Sequence, residues 1–213
     1  DSTSYQVYNN ITEADSTTTA VKETYGQMIL TDEGTVANTY YYSTSCGVGT
    51  TASIWKTAES QILDYLKSSR LSPENPVQTD DGAVAAGSTE IIEETTAEEL
   101  SEEETFRDFI TKAHEEDYEA QEGWYRWEYM VKEIDVDRML ETLKKRYEAN
   151  GKLILTLKDG DYSSQKIKNF SKITDITIVK RGPGGVADEL VITTDKGTYK
   201  IISEYNIRAV LCD

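Results

Sequence analysis

Cysteine, histidine and long hydrophobic runs are all scarce in this 213-residue sequence. Cys46 and Cys212 are too few for a disulfide scaffold, although they could pair with each other if the chain works outside the cell. His114 is the single histidine, which excludes a multi-histidine metal site within this sequence, and a cysteine-rich zinc site is excluded for the same reason. The longest wholly apolar runs span only a few residues, so the sequence predicts no transmembrane helix.

Positive charge is also scarce, because 22 Lys and Arg residues face 39 Asp and Glu residues and give a net charge of −17. This balance argues against nucleic acid and anionic membranes as partners. The imbalance is concentrated between Arg70 and Arg107, where there is no Lys or Arg and eleven acidic residues occur. We predict a flexible acidic insertion or linker there, with a surface loop docked on the fold as the alternative.

The periodicity of apolar residues predicts both helices and strands. Helical spacing follows capping signals at Thr12, Thr96 and Asp135. Alternating segments predict strands at 5–8, a hairpin within 28–42, and further strands at 153–157, 173–179, 189–194 and 198–202, before a short helix from Ile207. The predicted fold class is therefore α+β, with a mixed or antiparallel sheet, packed helices and the acidic insertion.

Two motifs have simple structural interpretations. The residues Gly182-Pro183-Gly184-Gly185 lack the Lys-Ser/Thr pair of a phosphate-binding loop, and we interpret them as a tight turn. His114 follows a polar helical pattern, and we predict a solvated surface histidine.

The stretch YYYSTSCGVGTTASIW, at 40–55, combines aromatic, hydroxyl and glycine residues. Its serines have no nearby histidine to act as a base, which argues against a serine hydrolase. Cys46 in isolation could be a nucleophile, a small loop residue or a disulfide partner.

A cluster of aromatic residues lies between the second and third predicted helices, at Trp124, Tyr125, Trp127 and Tyr129. Such a group usually belongs to the core, and a sugar-stacking or partner-binding surface is the alternative.

The order of several segments resembles the SpoIID/LytB family of bacterial sporulation and amidase-enhancer proteins. The segments are YQVYNN, TYGQMIL, YYYSTSCGVGT, IW, and YLKSS with SP, followed by WYRWEYMV, KRGPGGVADELVI and YNIRAVL. The resemblance covers roughly 5–70 and 124–211. It implies a SpoIID-like core at 1–72 and 124–213, interrupted by the acidic insertion at 73–97 and an inserted helix at 98–123.

The resemblance implies a lytic transglycosylase that acts on peptidoglycan glycan strands outside the cytoplasmic membrane. The location would be the cell surface or the intermembrane space of a sporulating or Gram-positive-type bacterium, with a cell-wall amidase as a further partner. In this chemistry a glutamic acid protonates the glycosidic oxygen, and the C6 hydroxyl of the sugar then closes onto C1. No cofactor or metal is implied.

The sequence also departs from the family pattern. The family's glutamate segment, which precedes the QVY motif, and its closing Gly-His-Gly segment have no counterpart in this sequence. We therefore expect the central part of a longer protein, without catalytic residues of its own and inactive by itself. A non-catalytic wall-binding or amidase-enhancer module is the alternative.

The resemblance implies a set of substrate-binding residues. Tyr65 and Lys67 would contact the sugar near the cleaved bond, although Tyr65 packing in the core and Lys67 being a solvated charge are the alternatives. Glu74 is the acidic residue after the SP pair, offset by one position from the family pattern. The STS-x-G-x-T segment at 43–50 would face the glycan or merely cap a strand, and its implied binding residues are Ser43, Thr44, Ser45, Gly47 and Thr50.

Overall fold

The structure, a computed structural model, describes residues 12–42, 44–58, 63–71, 89–90, 99–115 and 117–212. The chain divides into two compact units, Asp1–Tyr41 and Tyr42–Asp213. The helices are α1 (Asp15–Glu23), α2 (Glu103–Ile110), α3 (Val136–Ala149) and α4 (Glu204–Cys212). The strands are β1 (Arg70–Leu71), β2 (Thr89–Glu90), β3 (Ile154–Lys158), β4 (Asp161–Ser163), β5 (Ile173–Arg181), β6 (Ala187–Thr194) and β7 (Gly197–Ile202). Short 3-10 turns span Ala52–Trp55 and Pro183–Gly185.

The first unit contains α1 and a small hairpin. Helix α1 forms where the apolar spacing predicts it, but its N-cap is Ala14 and not Thr12, and no side chain caps it. In the predicted hairpin, an isolated antiparallel bridge joins Leu30 to Val36. The strand predicted from 36 to 42 is not formed beyond that bridge. The strand predicted at 5–8 lies outside the described residues.

The second unit is organised by an antiparallel sheet. Within the described residues its five strands have the order β4-β3-β7-β6-β5. Along β6 the buried positions alternate with partly exposed ones, which places Leu190 and Ile192 in the core. The four strands predicted in this part of the chain are confirmed as β3, β5, β6 and β7. Strand β4 was not predicted, because a three-residue strand is too short to show a period.

The core of the second unit lies between this sheet and helices α3 and α4. Helix α3 starts as predicted, with the Asp135 carboxylate accepting a hydrogen bond from the Arg138 N–H at 2.9 Å. The core consists of Met139, Leu143, Ile154, Ile167, Phe170, Leu190, Ile192, Tyr199, Ile201, Ile207 and Val210. The predicted α+β class is confirmed.

The glycine turn, helix α2 and the acidic insertion can each be compared with its prediction. Glycines 184 and 185 adopt φ of +73° and +82° in the predicted tight turn after β5. Helix α2 begins at Glu103, and the capping residue predicted for it, Thr96, lies outside the described residues. The predicted acidic insertion is outside them too, except for β2. No helix in the described part of the chain has the length and apolar character needed to cross a membrane.

The prediction of a solvated histidine is wrong for His114. Helix α2 ends at Ile110, so His114 lies beyond the helix. It is half-buried there, and its ring stacks on Phe109 with the centroids 4.7 Å apart. The prediction was wrong because the polar helical pattern continues through His114, whereas the helix itself ends earlier. At that end the Thr111 hydroxyl donates a hydrogen bond to the Arg107 carbonyl at 2.9 Å.

Candidate functional site

The hydroxyl loop, defined here as residues 44–50, is anchored to the fold through its second half. The Gly49 N–H donates to the Ser69 carbonyl at 2.8 Å, and the Ser68 hydroxyl donates to the Gly49 carbonyl at 2.7 Å. The Thr50 hydroxyl donates to the Pro183 carbonyl at 2.7 Å. These contacts hold the loop against residues 68–69 and against the glycine turn after β5.

The first half of the hydroxyl loop is held by Glu119. One carboxylate oxygen, Oε2, accepts from the Ser45 N–H at 3.0 Å and also from the Ser45 hydroxyl. The Gly47 N–H donates to the same hydroxyl oxygen at 3.0 Å. Ser45 is therefore fixed in place, and its hydroxyl is engaged in loop structure.

A buried carboxylate, Asp117, packs against Gly47 of the hydroxyl loop. Its oxygens accept hydrogen bonds from Arg70 Nε at 3.1 Å and from the Tyr125 hydroxyl at 2.5 Å. Burial, followed by the hydrogen bond to Asp117, raises the pKa of Tyr125 to about 12, so this hydroxyl keeps its proton. Gly47 adopts φ of +90°, and a Cβ there would lie 1.9 Å from Asp117 Oδ2, so only glycine fits this contact.

Arg126 ties the aromatic segment, residues 124–128, to the hydroxyl loop. Its Nη1 donates to the Cys46 carbonyl at 2.9 Å, and its Nε donates to the Lys112 carbonyl at 2.9 Å. The guanidinium carbon lies 3.8 Å from the centroid of the Tyr125 ring and 5.2 Å from that of Phe109. Because the guanidinium fork is planar and stacked, one side chain holds three segments in a fixed arrangement.

These segments enclose an open cleft of about 680 Å³, called here the tryptophan cleft. Trp124 and Trp127 line it and are 70% and 60% exposed. Their ring centroids are 6.3 Å apart, with an angle of 77° between the ring planes. Among the described residues, the lining consists of Thr44, Ser45, Cys46, Ile110, Thr111, Ala113, Trp124, Tyr125, Arg126, Trp127 and Glu128.

The core interpretation of the aromatic cluster is right for Tyr125 and wrong for its neighbours. Tyr125 is only 4% exposed, whereas Trp124, Trp127 and Tyr129 are exposed. The reason is that Tyr125 finds a buried partner for its hydroxyl in Asp117, while the indoles flank the cleft. The surface alternative is the one that fits the two tryptophans.

A smaller cavity of about 340 Å³ also lies along the hydroxyl loop, with Tyr42, Phe106 and Gly185 among its lining residues. Cys46 lines both cavities and is a free thiol. Burial raises the pKa of the Cys46 thiol, which favours the protonated thiol over the nucleophilic thiolate. Of the three interpretations of Cys46, the small loop residue fits this environment.

The structure brings only some of the implied binding residues to the cleft. Thr44 and Ser45 line it, whereas Gly47 and Thr50 serve the packing of the loop. Tyr65, which is half-buried, and Lys67, which is exposed, are not among the lining residues of either cavity. Ser43 and Glu74 lie outside the described residues.

Three supporting residues had not been anticipated, namely Asp117, Glu119 and Arg126. They stand in an acidic and aromatic stretch of sequence with no local signal that distinguishes them from solvated charges. Their roles depend on partners far away in the sequence. Across the described ranges, no group of three or more His, Cys, Asp and Glu side chains is arranged to hold a metal ion.

Comparison with known proteins identifies one family. The sequence model described as "Domain of unknown function (DUF8618)" matches residues 51–213. The match begins within the segment that follows the hydroxyl loop and includes the aromatic segment and the whole sheet of the second unit. No curated protein and no solved structure matches the chain.

Proposed function

The chain belongs to the DUF8618 family, and for this member we propose that the tryptophan cleft binds the glycan strands of peptidoglycan. We infer further that the chain is the central part of a SpoIID/LytB-type cell-wall protein. The ordered motifs from YQVYNN to YNIRAVL support this second inference. Such a protein would act outside the cytoplasmic membrane, with a cell-wall amidase as a further partner.

The observation that carries the proposal is the pair of exposed indoles in a concave site lined by hydroxyl groups. Single exposed aromatic residues are common on protein surfaces, but two exposed indoles side by side in a cleft form a contiguous apolar patch, and such patches mark ligand or partner sites. The faces of sugar rings carry C–H groups that stack on indoles, and sugar hydroxyls need hydrogen-bonding partners beside them. Trp124 and Trp127 supply the first, and the polar residues Thr44 and Glu128, which line the same cleft, supply the second.

The proposal assigns binding, and not cleavage, to this chain. Glu119 accepts two hydrogen bonds from Ser45 and is occupied in holding the loop. The glutamate pattern of the SpoIID/LytB family has no counterpart in this sequence. The alternative to the central part of a SpoIID/LytB-type enzyme is therefore a non-catalytic module that binds the cell wall or enhances an amidase.

Sedimentation with purified peptidoglycan sacculi tests the binding. We expect the 213-residue protein to sediment with sacculi, and the double variant Trp124→Ala/Trp127→Ala to bind about five- to hundredfold more weakly, because each aromatic contact contributes about 0.5–1.5 kcal/mol. Tyr129→Ala is the matched control, since Tyr129 is an exposed aromatic residue outside the cleft lining. Equal retention of the double variant and the control would contradict the proposal.

Mass spectrometry of sacculi treated with the same protein tests the absence of cleavage. We expect no 1,6-anhydro sugar ends above those of untreated sacculi. Their appearance would show that the chain cleaves glycan, and it would direct the search for an acid to Glu128, the carboxylate that lines the cleft.

A further inference from the structure

The two indoles of the tryptophan cleft are nearly perpendicular, and this angle bears on the shape of the ligand. A β-1,4-linked polysaccharide in a crystalline sheet is a flat ribbon whose successive ring faces are parallel. Such a ribbon is matched by coplanar aromatic side chains. An isolated strand in solution twists, and its successive ring faces turn relative to one another. The 77° between Trp124 and Trp127 fits the second geometry and not the first.

We therefore propose that the tryptophan cleft selects a single, twisted strand of β-1,4-linked N-acetylhexosamine over the flat chains of a crystalline polysaccharide. This selectivity rests on the proposed glycan binding and specifies the form of glycan that is bound. Trp124 and Trp127 would each contact the face of a different sugar ring along the strand.

The concave shape of the site supports the same conclusion. The hydroxyl loop lines the tryptophan cleft together with residues from the end of α2, so the indoles do not form a flat platform. A volume of about 680 Å³ lies in the range of sites that enclose a small ligand. A crystalline surface cannot enter such a cleft, whereas a short stretch of one strand can.

The chain segment that carries the two indoles is held by the fold. The residues between them, Tyr125 and Arg126, both point inward and are held by Asp117, the Cys46 carbonyl and the Lys112 carbonyl. Because the two residues that separate the indoles are fixed, their backbone does not have to be ordered when a strand binds, and preorganisation of this kind favours affinity.

Two forms of the same sugar polymer separate strand shape from sugar chemistry. Soluble tetra-N-acetylchitotetraose can be titrated while tryptophan fluorescence is followed, and crystalline chitin can be used in a depletion assay at matched sugar concentration. We expect a blue shift of the exposed tryptophans with the soluble probe, and at least tenfold weaker binding to the crystalline one. In Trp127→Ala the ratio of the two affinities should fall toward one, while Tyr129→Ala should keep the wild-type ratio.

The outcomes distinguish this inference from the proposed function. Equal binding to both forms of chitin would overturn selection by strand shape and leave glycan binding intact. Binding to sacculi without any binding to chitotetraose would also overturn it. Failure to bind sacculi and both forms of chitin would overturn the proposed function, and the inference with it.

Discussion

Replacement of Gly47 by alanine should destabilise the second unit through one defined contact. Gly47 adopts φ of +90°, and its added Cβ would lie 1.9 Å from Asp117 Oδ2 and 2.7 Å from Asp117 Cγ. The carboxylate cannot stay where it is. The displaced oxygen, Oδ2, accepts the hydrogen bond from the Tyr125 hydroxyl. The substitution therefore breaks a buried hydrogen bond and also strains the backbone.

A matched control separates these two effects. Gly160 adopts φ of +95°, and a Cβ there meets nothing within 4 Å. Gly160→Ala therefore carries the backbone cost alone, about 1–2 kcal/mol for an alanine in the left-handed region. Gly47→Ala carries that cost and the loss of a buried polar contact, about 1–3 kcal/mol more. The difference between the two variants measures the support that Asp117 gives to the hydroxyl loop.

Urea denaturation followed by circular dichroism measures the difference. With a slope of about 2 kcal/mol/M, the extra destabilisation lowers the midpoint of Gly47→Ala below that of Gly160→Ala by about 0.5–1.5 M. Gly47→Ala should also weaken binding to sacculi, because the displaced Asp117 no longer holds Tyr125, which lies between Trp124 and Trp127 in the chain. Gly160→Ala should leave this binding unchanged. Midpoints that agree within about 0.2 M, or about 0.5 kcal/mol, would refute the contact between Gly47 and Asp117.

Three further predictions concern Tyr125, Thr50 and the core. The pKa of Tyr125 is raised from its ordinary value near 10 to about 12, so the folded state holds this proton more tightly. That stability is fully present below pH 10 and is lost as the pH rises toward 12. Urea midpoints across this range should fall further in the wild type than in Tyr125→Phe, in which Tyr42 and Tyr199, whose pKa values burial also raises, still contribute. Thr50→Val should lower the free energy of unfolding by about 1 kcal/mol through the lost hydrogen bond to Pro183. It should leave sedimentation with sacculi unchanged, and weaker sedimentation would show that Thr50 contacts glycan. Leu143→Ala, at a position with no exposed surface, should cost about 2–5 kcal/mol in thermal or urea unfolding. Leu157→Ala, at a position 38% exposed, is its control, and equal costs would contradict the assignment of the core.

The helices and strands of the second unit illustrate what local patterns can predict. Helix α3 follows a capping Asp135 and carries the stripe that includes Met139 and Leu143, and both residues are buried as the spacing predicts. Strand β6 alternates between buried and partly exposed residues, in keeping with the period of two. Elements without a period were predicted poorly, as β4 and the extent of the hairpin at 28–42 show.

Less of the candidate site than of the fold could be predicted from the sequence. Composition and motif order indicated the hydroxyl loop, and the exposed tryptophans were anticipated only as an alternative to the core. Tyr125 and Trp127 are both aromatic residues in the same short stretch, and no local sequence pattern shows that the first is buried and the second exposed. That difference arises because Tyr125 reaches the carboxylate of Asp117.

The sequence by itself determined the α+β class, the helices and the strands other than β4 in the C-terminal half, and the unusual chemistry of the hydroxyl loop. These properties follow from short-range spacing, which a single chain segment contains completely. Only the tertiary structure decided which residues support the cleft, because Arg70 and Asp117 are 47 residues apart, Ser45 and Glu119 are 74 apart, and Cys46 and Arg126 are 80 apart. Hydrogen bonds and ion pairs between distant segments leave no periodic trace in the sequence, and here they hold Tyr125 and Arg126, the two residues between the indoles.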